Sequence, residues 1–297
     1  MPIATAVNVS DCTWPWRGFP IRYQTAGTQG APILLIHGFG ASSDHWRKNI
    51  PVLAETNRVY AIDLIGFGKS VKPCPNESIA YTFETWAQLV IDFCCEVIGA
   101  PTFLVGNSIG CVVAMQAAVL ANAQFLGVAM LDCSLRLLHD RKRSTLPWYR
   151  GAPAPILQSL LGIPPVGHFF FSRLARPKVI RNVLKQAYAR EDAVTDELVN
   201  LLLAPAKDAG AADVFLAFVR YSQGPLPEDL LPQLQCPALF IWGTDDPWEP
   251  IALGRELANY PTVEDFIALE GVGHCPQDEA PELVNPILQR WVAQHIA

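Results

Sequence analysis

The sequence predicts an α/β fold, in which a largely parallel sheet carries helices on both faces and a helical segment is inserted before the last strands. Three observations lead to this prediction. Short apolar runs alternate with helical patterns at the spacing of βαβ units. One run leads into Gly106-Asn107-Ser108-Ile109-Gly110, the pattern of a sharp strand-to-helix turn. The alternation stops between about residues 135 and 231, where prolines and aromatic residues are frequent.

Eight segments have the apolar pattern expected of strands. The Arg17-Gly18 pair predicts a hairpin between the first two, and residues 33–36 are apolar throughout, as in a strand buried on both faces. The predicted strands are 13–16, 19–25, 33–36, 58–62, 101–105, 125–131, 236–242 and 262–269.

The helical patterns divide the chain into a core and an insertion. Helical spacing at 81–98 and 280–296 belongs to the core. Within the insertion we predict short helices at 156–161, 166–174, 179–188 and 213–221. We therefore expect a core domain of residues 1–134 and 232–297, and a helical cap of residues 135–231.

Composition excludes several classes of function. The chain has 297 residues, 51% of them hydrophobic, which is ample for a full core. The formal net charge is -6, and no long Lys/Arg run is present, which argues against nucleic acid as a partner. The eight cysteines include no C-x-x-C pair, so we expect reduced thiols rather than a disulfide framework.

The sequence also bears on localisation. Its first residues lack the basic and apolar regions of a secretory signal, and the longest apolar stretch, 109–121, is too short to span a bilayer. We therefore expect a cytoplasmic protein. The basic cluster 141–143 has two interpretations, a solvated surface or a peripheral contact with anionic lipid heads.

Ser108 is the predicted nucleophile. An apolar run before it and a run of small helix-forming residues after it turn a weak pattern into a nucleophile elbow. Glycines at 106 and 110 let the turn approach its neighbouring strand and helix. The N–H of Ile109, at the helix N-terminus, would then point to the position of a developing oxyanion.

Phe39 is predicted to supply the second oxyanion donor. The strand 33–36 runs into His37-Gly38-Phe39-Gly40, which offers a backbone N–H before the elbow. The alternative is an ordinary glycine-rich turn before a helix capped by residues 42–44. We expect His37 to orient this loop by hydrogen bonding rather than to act as the base.

The predicted acid and base follow later strands. A serine hydroxyl needs an imidazole to take its proton, and the imidazole needs a carboxylate to hold its other N–H. His274 follows the last strand and is the predicted base. Asp246 is the preferred acid, although Asp132 also ends a strand and remains the alternative. Asp245 is then expected to be a solvated turn residue.

The aromatic residues of the insertion suggest an apolar pocket over Ser108. Most of these residues would pack the cap onto the core. A cap this apolar would also line a pocket for a hydrophobic acyl or alcohol group. The pocket candidates are Trp148, Phe170, Phe215 and Trp248.

These motifs resemble those of the α/β-hydrolase fold family, in which the nucleophile, acid and histidine follow one another in the order found here. Within that family, 106–110, Leu146-Pro147-Trp148 and 273–282 are similar to the pheophytinase and chlorophyll dephytylase group. The resemblance implies an enzyme that cleaves an ester of a long isoprenoid alcohol, as in chlorophyll pigments.

The sequence thus predicts a serine hydrolase that cleaves a small hydrophobic ester and needs neither a metal nor an organic cofactor. Two alternatives remain open. One is a C–C bond hydrolase acting on a vinylogous diketone, since the Gly-Asn-Ser elbow also resembles that group. The other is a slow-turnover signalling receptor of the same fold. Dehalogenases and epoxide hydrolases are excluded because they need a carboxylate where Ser108 stands. The pattern leaves the oligomeric state open.

Overall fold

The computed structural model describes residues 7–142 and 160–296. A central sheet of eight strands runs through this part of the chain. The strands are β1 (Ser10–Trp16), β2 (Phe19–Ala26), β3 (Pro32–Ile36), β4 (Arg58–Ile62), β5 (Thr102–Asn107), β6 (Phe125–Leu131), β7 (Ala238–Gly243) and β8 (Val263–Leu269).

The order of the strands across the sheet is β1-β2-β4-β3-β5-β6-β7-β8. β2 pairs antiparallel with both β1 and β4, and all the remaining pairs are parallel. The predicted hairpin is confirmed, because Arg17 and Gly18 both have positive φ and Trp16 pairs with Phe19. Since β3 to β8 run in one direction, the loops that follow them meet at one edge of the sheet.

Helices cover both faces of the sheet, which confirms the predicted fold class. Ile33 and Leu35 of β3 pack into the apolar layer on one side, and Leu34 and Ile36 pack into the layer on the other. Before the predicted insertion lie α1 (Ile50–Leu53), α2 (Phe83–Phe93) and α3 (Ile109–Leu120), and after it lie α9 (Ile251–Gly254), α10 (Pro276–Glu279) and α11 (Pro281–Gln294). The short helix α8 (Pro227–Leu230) lies at the end of the insertion.

Besides α8, four helices lie between β6 and β7 in the described part of the chain, inside the predicted insertion. They are α4 (Pro164–Leu174), α5 (Pro177–Ala187), α6 (Asp196–Ala206) and α7 (Ala211–Val219). The cap boundaries at 134/135 and 231/232 stay a prediction. Pro164 and Pro177 begin helices rather than interrupt them, since the first helical residue needs no N–H.

Two differences from the sequence prediction have clear local causes. The sequence did not predict α6, although Thr195 caps it by accepting a hydrogen bond from Leu198 N–H. The predicted helix 81–98 is α-helical only to Phe93 and then widens, with Gly99 N–H donating to Cys94 O. The helix predicted at 156–161 lies almost entirely outside the described residues.

No helix in the described part of the chain is both long and apolar enough to cross a membrane.

Candidate active site

Ser108 occupies a strained turn between β5 and α3. Its backbone has φ 56° and ψ -119°, a conformation that residues other than glycine rarely adopt. The turn is tight enough to exclude a side chain on either flank. A Cβ at Gly106 would lie 2.5 Å from Cys111 N, and a Cβ at Gly110 would lie 2.4 Å from Ile36 O. This is the geometry that the glycine spacing predicts.

The loop after β3 lies directly against this turn. A Cβ on Gly38 would lie 3.2 Å from the Ser108 Cβ, which is tighter than an ordinary contact, so glycine favours this close approach. Phe39 is therefore next to Ser108, and both residues line one cavity. Ile109 is the first residue of α3, so its N–H has no acceptor within the helix. Both N–H groups are near Ser108, and their oxyanion role stays a prediction.

His37 holds that loop in place. Its Nε2 accepts a hydrogen bond from Leu64 N–H at 3.1 Å, so Nδ1 carries the proton and donates to Gly38 O at 2.7 Å. The ring is fully buried, and this burial lowers the pKa of His37. A neutral ring with both nitrogens occupied orients the loop and does not serve as a base.

His274 is hydrogen-bonded to Asp246. The His274 Nδ1–H donates to Asp246 Oδ2 at 2.7 Å. The other carboxylate oxygen, Oδ1, accepts hydrogen bonds from Trp248 N–H at 2.8 Å and Glu249 N–H at 3.1 Å. Because the carboxylate fixes the proton on Nδ1, Nε2 is the ring nitrogen that remains able to accept a proton.

The backbone of His274 is tied to two different parts of the molecule. Its N–H donates to Ala187 O at the end of α5, at 2.8 Å. Its carbonyl accepts a hydrogen bond from Asn107 Nδ2 at 3.1 Å. Asn107 precedes Ser108, so one amide side chain connects the elbow to the loop that carries the imidazole. Hydrogen bonds to the backbone of His274 therefore connect its loop to the elbow on one side and to the insertion on the other.

Ser108 and His274 line the same cavity. Among the hydrogen bonds of residues 7–142 and 160–296, none joins Ser108 Oγ to His274 Nε2. Such bonds are commonly long without substrate and tighten when it binds. The structure thus brings Asp246 and His274 into direct contact, and it brings Ser108 to the same cavity without that contact.

Asp132 lies beside this pair. It is completely buried at the end of β6, and its Oδ1 accepts a hydrogen bond from Gly243 N–H at 2.9 Å. Burial, followed by the neighbouring Asp246, raises the pKa of Asp132 well above its usual value. Since His274 donates to Asp246, the geometry favours Asp246 over Asp132 as the acid.

Asp132, Asp246 and His274 are the only described residues whose donor atoms form a group tight enough to share a metal ion, all within 4.8 Å of one another. His274 Nδ1 and Asp246 Oδ2 are already hydrogen-bonded to each other. We therefore interpret the group as an acid–base cluster.

A cavity of about 400 Å³ adjoins Ser108, and its wall is mostly apolar. Phe215 and Trp248, both predicted pocket residues, line it, and the Trp248 ring centroid lies 4.9 Å from that of His274. Phe170, the other described candidate, is 36% exposed and is not among the residues that line this cavity, so its role stays a prediction. Its neighbour Phe171 lines the cavity, since adjacent residues of a helix face different directions. Trp148 lies outside the described residues.

Two residues that the sequence did not single out also line the cavity. Glu249 Oε2 accepts a hydrogen bond from Leu135 N–H at 3.1 Å, and burial raises the pKa of Glu249 to about 7. His45 Nε2 lies 2.9 Å from Tyr188 OH, and burial lowers the pKa of His45 to about 4. The position of Glu249, three residues after Asp246, was the only sequence signal available. His45 gave none, because only the fold brings it to Tyr188.

The model of the Alpha/beta hydrolase family matches residues 33–287, which span most of the chain. The chain belongs to this family. Among curated relatives of this hydrolase, pheophytinase, chloroplastic, from Arabidopsis thaliana is 24% identical over 327 aligned positions, covering 98% of this chain and 67% of that protein. The uncharacterized hydrolase YugF from Bacillus subtilis is 29% identical, covering 89% of this chain and 90% of that protein.

A third relative of this hydrolase is 2-hydroxy-6-oxo-6-(2'-aminophenyl)hexa-2,4-dienoic acid hydrolase from Metapseudomonas resinovorans. It is 27% identical, covering 89% of this chain and 84% of that protein. Among solved structures, a serine hydrolase involved in carbazole degradation, the CarC enzyme, superposes with a TM-score of 0.76 at 21% identity. That match covers 97% of this chain and 100% of the other, and it establishes the shared fold.

Proposed function

We propose that this alpha/beta hydrolase is a serine hydrolase that cleaves a carboxylic ester of a hydrophobic substrate. The observation that carries the proposal is the 2.7 Å hydrogen bond between His274 and Asp246 in a site whose cavity also holds the strained Ser108. A nucleophile, a base and an acid that orients the base are the parts that acyl transfer through serine requires.

The mechanism follows from these positions. Ser108 Oγ attacks the ester carbonyl while His274 Nε2 takes its proton, and Asp246 stabilises the resulting imidazolium. The N–H groups of Phe39 and Ile109 bind the oxyanion, at about 3 kcal/mol of transition-state stabilisation for each donor. His274 then returns the proton to the departing alcohol, and a water molecule hydrolyses the acyl-enzyme by the same steps. None of these reaction steps requires a cofactor.

The composition of the cavity wall supports the proposal of a hydrophobic substrate. A space of about 400 Å³ accommodates a small molecule, and its wall is dominated by aliphatic and aromatic side chains of α4 to α7. With its pKa at about 4, His45 is neutral at pH 7, and Glu249 is the only carboxyl group among the described residues that line the wall. The similarity to pheophytinase favours a long isoprenoid alcohol, such as phytol, as the leaving group.

A series of p-nitrophenyl esters of increasing acyl length, together with a phytyl ester, tests the proposal. We expect turnover that rises with chain length and falls by about 10⁴-fold or more in Ser108→Ala. Ser172→Ala is the matched control, since Ser172 is an exposed serine of α4 that does not line the cavity. Full ester turnover by purified Ser108→Ala would reject the proposal.

C–C bond hydrolysis of a vinylogous diketone is the second candidate, favoured by the 27% identity to the dienoic acid hydrolase. It uses the same serine and histidine but breaks a carbon–carbon bond. Direct comparison of kcat/KM for a ring-cleavage diketone and for the best ester separates the two reactions. A clear preference for the diketone would replace ester hydrolysis as the conclusion.

Slow turnover as a ligand receptor is separated from both by kinetics. The proposed hydrolase releases many product molecules per protein molecule at a constant rate. A receptor of this fold would give one burst of product and then stop.

Peripheral contact with a membrane stays a prediction. Two residues of the basic cluster already face acidic partners, since Arg141 pairs with Asp229 at 2.7 Å and Lys142 with Glu228 at 2.8 Å. Arg143 lies outside the described residues. Sedimentation with anionic vesicles at low and physiological salt tests this contact.

A further inference from the structure

Two buried carboxyl groups lie in the loops after the neighbouring strands β6 and β7 and accept unequal numbers of hydrogen bonds. Asp246 accepts three, from two backbone N–H groups and from His274. Asp132 accepts one, from Gly243 N–H, and only through Oδ1. Its other oxygen, Oδ2, is fully buried and has no hydrogen-bond partner in the described part of the chain. An ionised carboxylate is a poor fit to such a position.

Electrostatics disfavours the ionisation of both carboxyl groups at once. Donor atoms of the two residues lie within 4.8 Å of each other and of His274, and neither carboxyl side chain is exposed to solvent. Two carboxylates this close in a buried site share a proton, because their repulsion is not screened by water. The proton goes to the group whose charge is less well stabilised, and that group is Asp132.

The surroundings supply no cation that could keep Asp132 ionised. Besides Asp246 and His274, the titratable groups acting on it or near it are Glu279, Cys111 and Cys275. Burial raises the pKa of both thiols well above its usual value, so they are neutral. Within residues 7–142 and 160–296, no Lys or Arg forms an ion pair with Asp132.

The backbone at this position is also unusual. Asp132 has φ 43°, which places it in the left-handed region that few residues other than glycine enter. Such conformations are held in place by the surrounding structure and cluster at functional sites. Asp132 N–H donates to Ile241 O of β7 at 3.0 Å, so the residue is fixed on both its backbone and its side chain.

We propose that Asp132 carries a proton at neutral pH and donates a hydrogen bond from Oδ2 to the carboxylate of Asp246, acting as a positioning residue for the Asp246–His274 pair. This inference rests on the proposed function for its kinetic readout but not for the protonation itself. The proton gives the unpaired Oδ2 of Asp132 a hydrogen-bond partner and leaves Asp246 as the one negatively charged group of the two carboxyls beside His274. The hydrogen bond restrains the Asp246 carboxylate in the orientation that holds His274 Nδ1–H.

The pH profile of kcat/KM for a p-nitrophenyl ester tests the protonation. Asp132→Asn replaces a neutral O–H donor with a neutral N–H donor. The acid limb of the kcat/KM profile of this variant should therefore coincide with that of the original protein, and its kcat should stay within about threefold of the original value. If Asp132 were ionised, the same substitution would remove a negative charge near His274. The acid limb would then move to lower pH by about one unit or more, which would overturn the proposal.

The donor itself is tested by Asp132→Leu, which retains the bulk but has no group to donate. We expect kcat/KM to fall about tenfold through loss of a charge-assisted hydrogen bond, with Asp132→Asn restoring it. Asp245→Asn is the matched control, because it removes an exposed carboxylate from the same loop as Asp246. Equal activity of Asp132→Leu and the original protein would exclude a positioning role.

Infrared difference spectroscopy tests the proton without relying on catalysis. In the Ser108→Ala background at pH 7, subtraction of the Asp132→Asn spectrum should reveal the carbonyl stretch of one protonated carboxylic acid. Subtraction of the Asp245→Asn spectrum should give none. The absence of the band in the first difference would refute the proposal even if ester hydrolysis is confirmed, and its presence would stand even if ester hydrolysis fails.

Discussion

The floor and the roof of the cavity are built on different principles. The floor consists of the loops after β3, β5, β7 and β8, and it holds its groups by hydrogen bonds and close packing. Asp246 and His274 are only 7% and 5% exposed. The roof consists of α4 to α7 and contributes mainly apolar side chains, one of which, Val183, is 41% exposed.

This difference separates two properties of the enzyme. In the floor, the positions of atoms are fixed by strained backbone and by glycines that no other residue can replace. In the roof, what matters is the volume and polarity of side chains, which can change without moving the backbone. We therefore expect floor substitutions to lower turnover for every substrate and roof substitutions to change the preference among substrates.

The largest effect is expected for Asp246→Asn. The amide would donate to Nδ1 rather than accept from it, which puts the imidazole proton on the wrong nitrogen. We expect kcat to fall by about 10³- to 10⁴-fold for short and long esters alike. Steady-state kinetics on both substrates checks this, with the exposed Asp245→Asn as control. A loss below about tenfold would mean that another carboxylate orients His274.

Gly110→Ala tests whether the floor depends on close packing. The new Cβ would lie 2.4 Å from Ile36 O and 2.7 Å from His37 O, so the elbow must shift away from β3. A displacement near 1 Å should lower kcat by about 100-fold. Gly18→Ala, in a turn with open space around it, should reduce thermal stability but leave kcat unchanged. Wild-type kcat in Gly110→Ala would argue against a rigid floor.

Val179→Trp tests the roof. Val179 of α5 lines the cavity, and a larger side chain would fill part of its volume. We expect kcat/KM for a long acyl ester to fall by about 10- to 100-fold, since each methylene excluded from an apolar pocket costs about 1 kcal/mol or more. The acetyl ester should be nearly unaffected. Lys178→Trp, on the neighbouring exposed residue, is the control. Equal losses for both esters would contradict the assignment of substrate choice to the roof.

The smallest effect concerns Glu249, where floor and roof meet. Burial raises the pKa of Glu249 from 4.5 to about 7, so between these values the folded protein holds a proton that the unfolded chain releases. Stability should therefore fall as the pH rises through this range, by about 2 kcal/mol after allowance for the partly exposed side chain. Glu249→Gln should show a smaller fall, because the contribution of Glu249 is removed while that of the protonated Asp132 remains. Urea unfolding of both proteins at pH 4.5 and 7.5 provides the measurement, and parallel pH dependences would contradict the assignment.

Much of the floor was predictable because its signals are local in sequence. The glycines around Ser108 report the sharp turn, and the fully apolar run in β3 reports a strand buried on both faces. Asp246 and His274 could be named because the loops after parallel strands meet at one edge of the sheet. The choice between Asp246 and Asp132 needed the hydrogen bond to His274, which no spacing along the chain encodes.

The roof was less predictable because its signals depend on which way each helix faces. Phe170 and Phe171 are equivalent in the sequence, and only the packing of α4 decides which one reaches the cavity. Pro164 and Pro177 begin helices, although a proline in the sequence is equally compatible with the end of one. Nothing in the sequence indicated that His45 lines the cavity, because its partner Tyr188 lies 143 positions further along the chain.

The central claim is that Ser108 is the nucleophile activated by His274. Labelling the purified protein with a fluorophosphonate and mapping the adduct by mass spectrometry tests it most directly. We expect one label per chain, on Ser108, and labelling that is lost in Ser108→Ala and strongly slowed in His274→Ala. A label on another residue, or undiminished labelling of Ser108→Ala, would contradict the account.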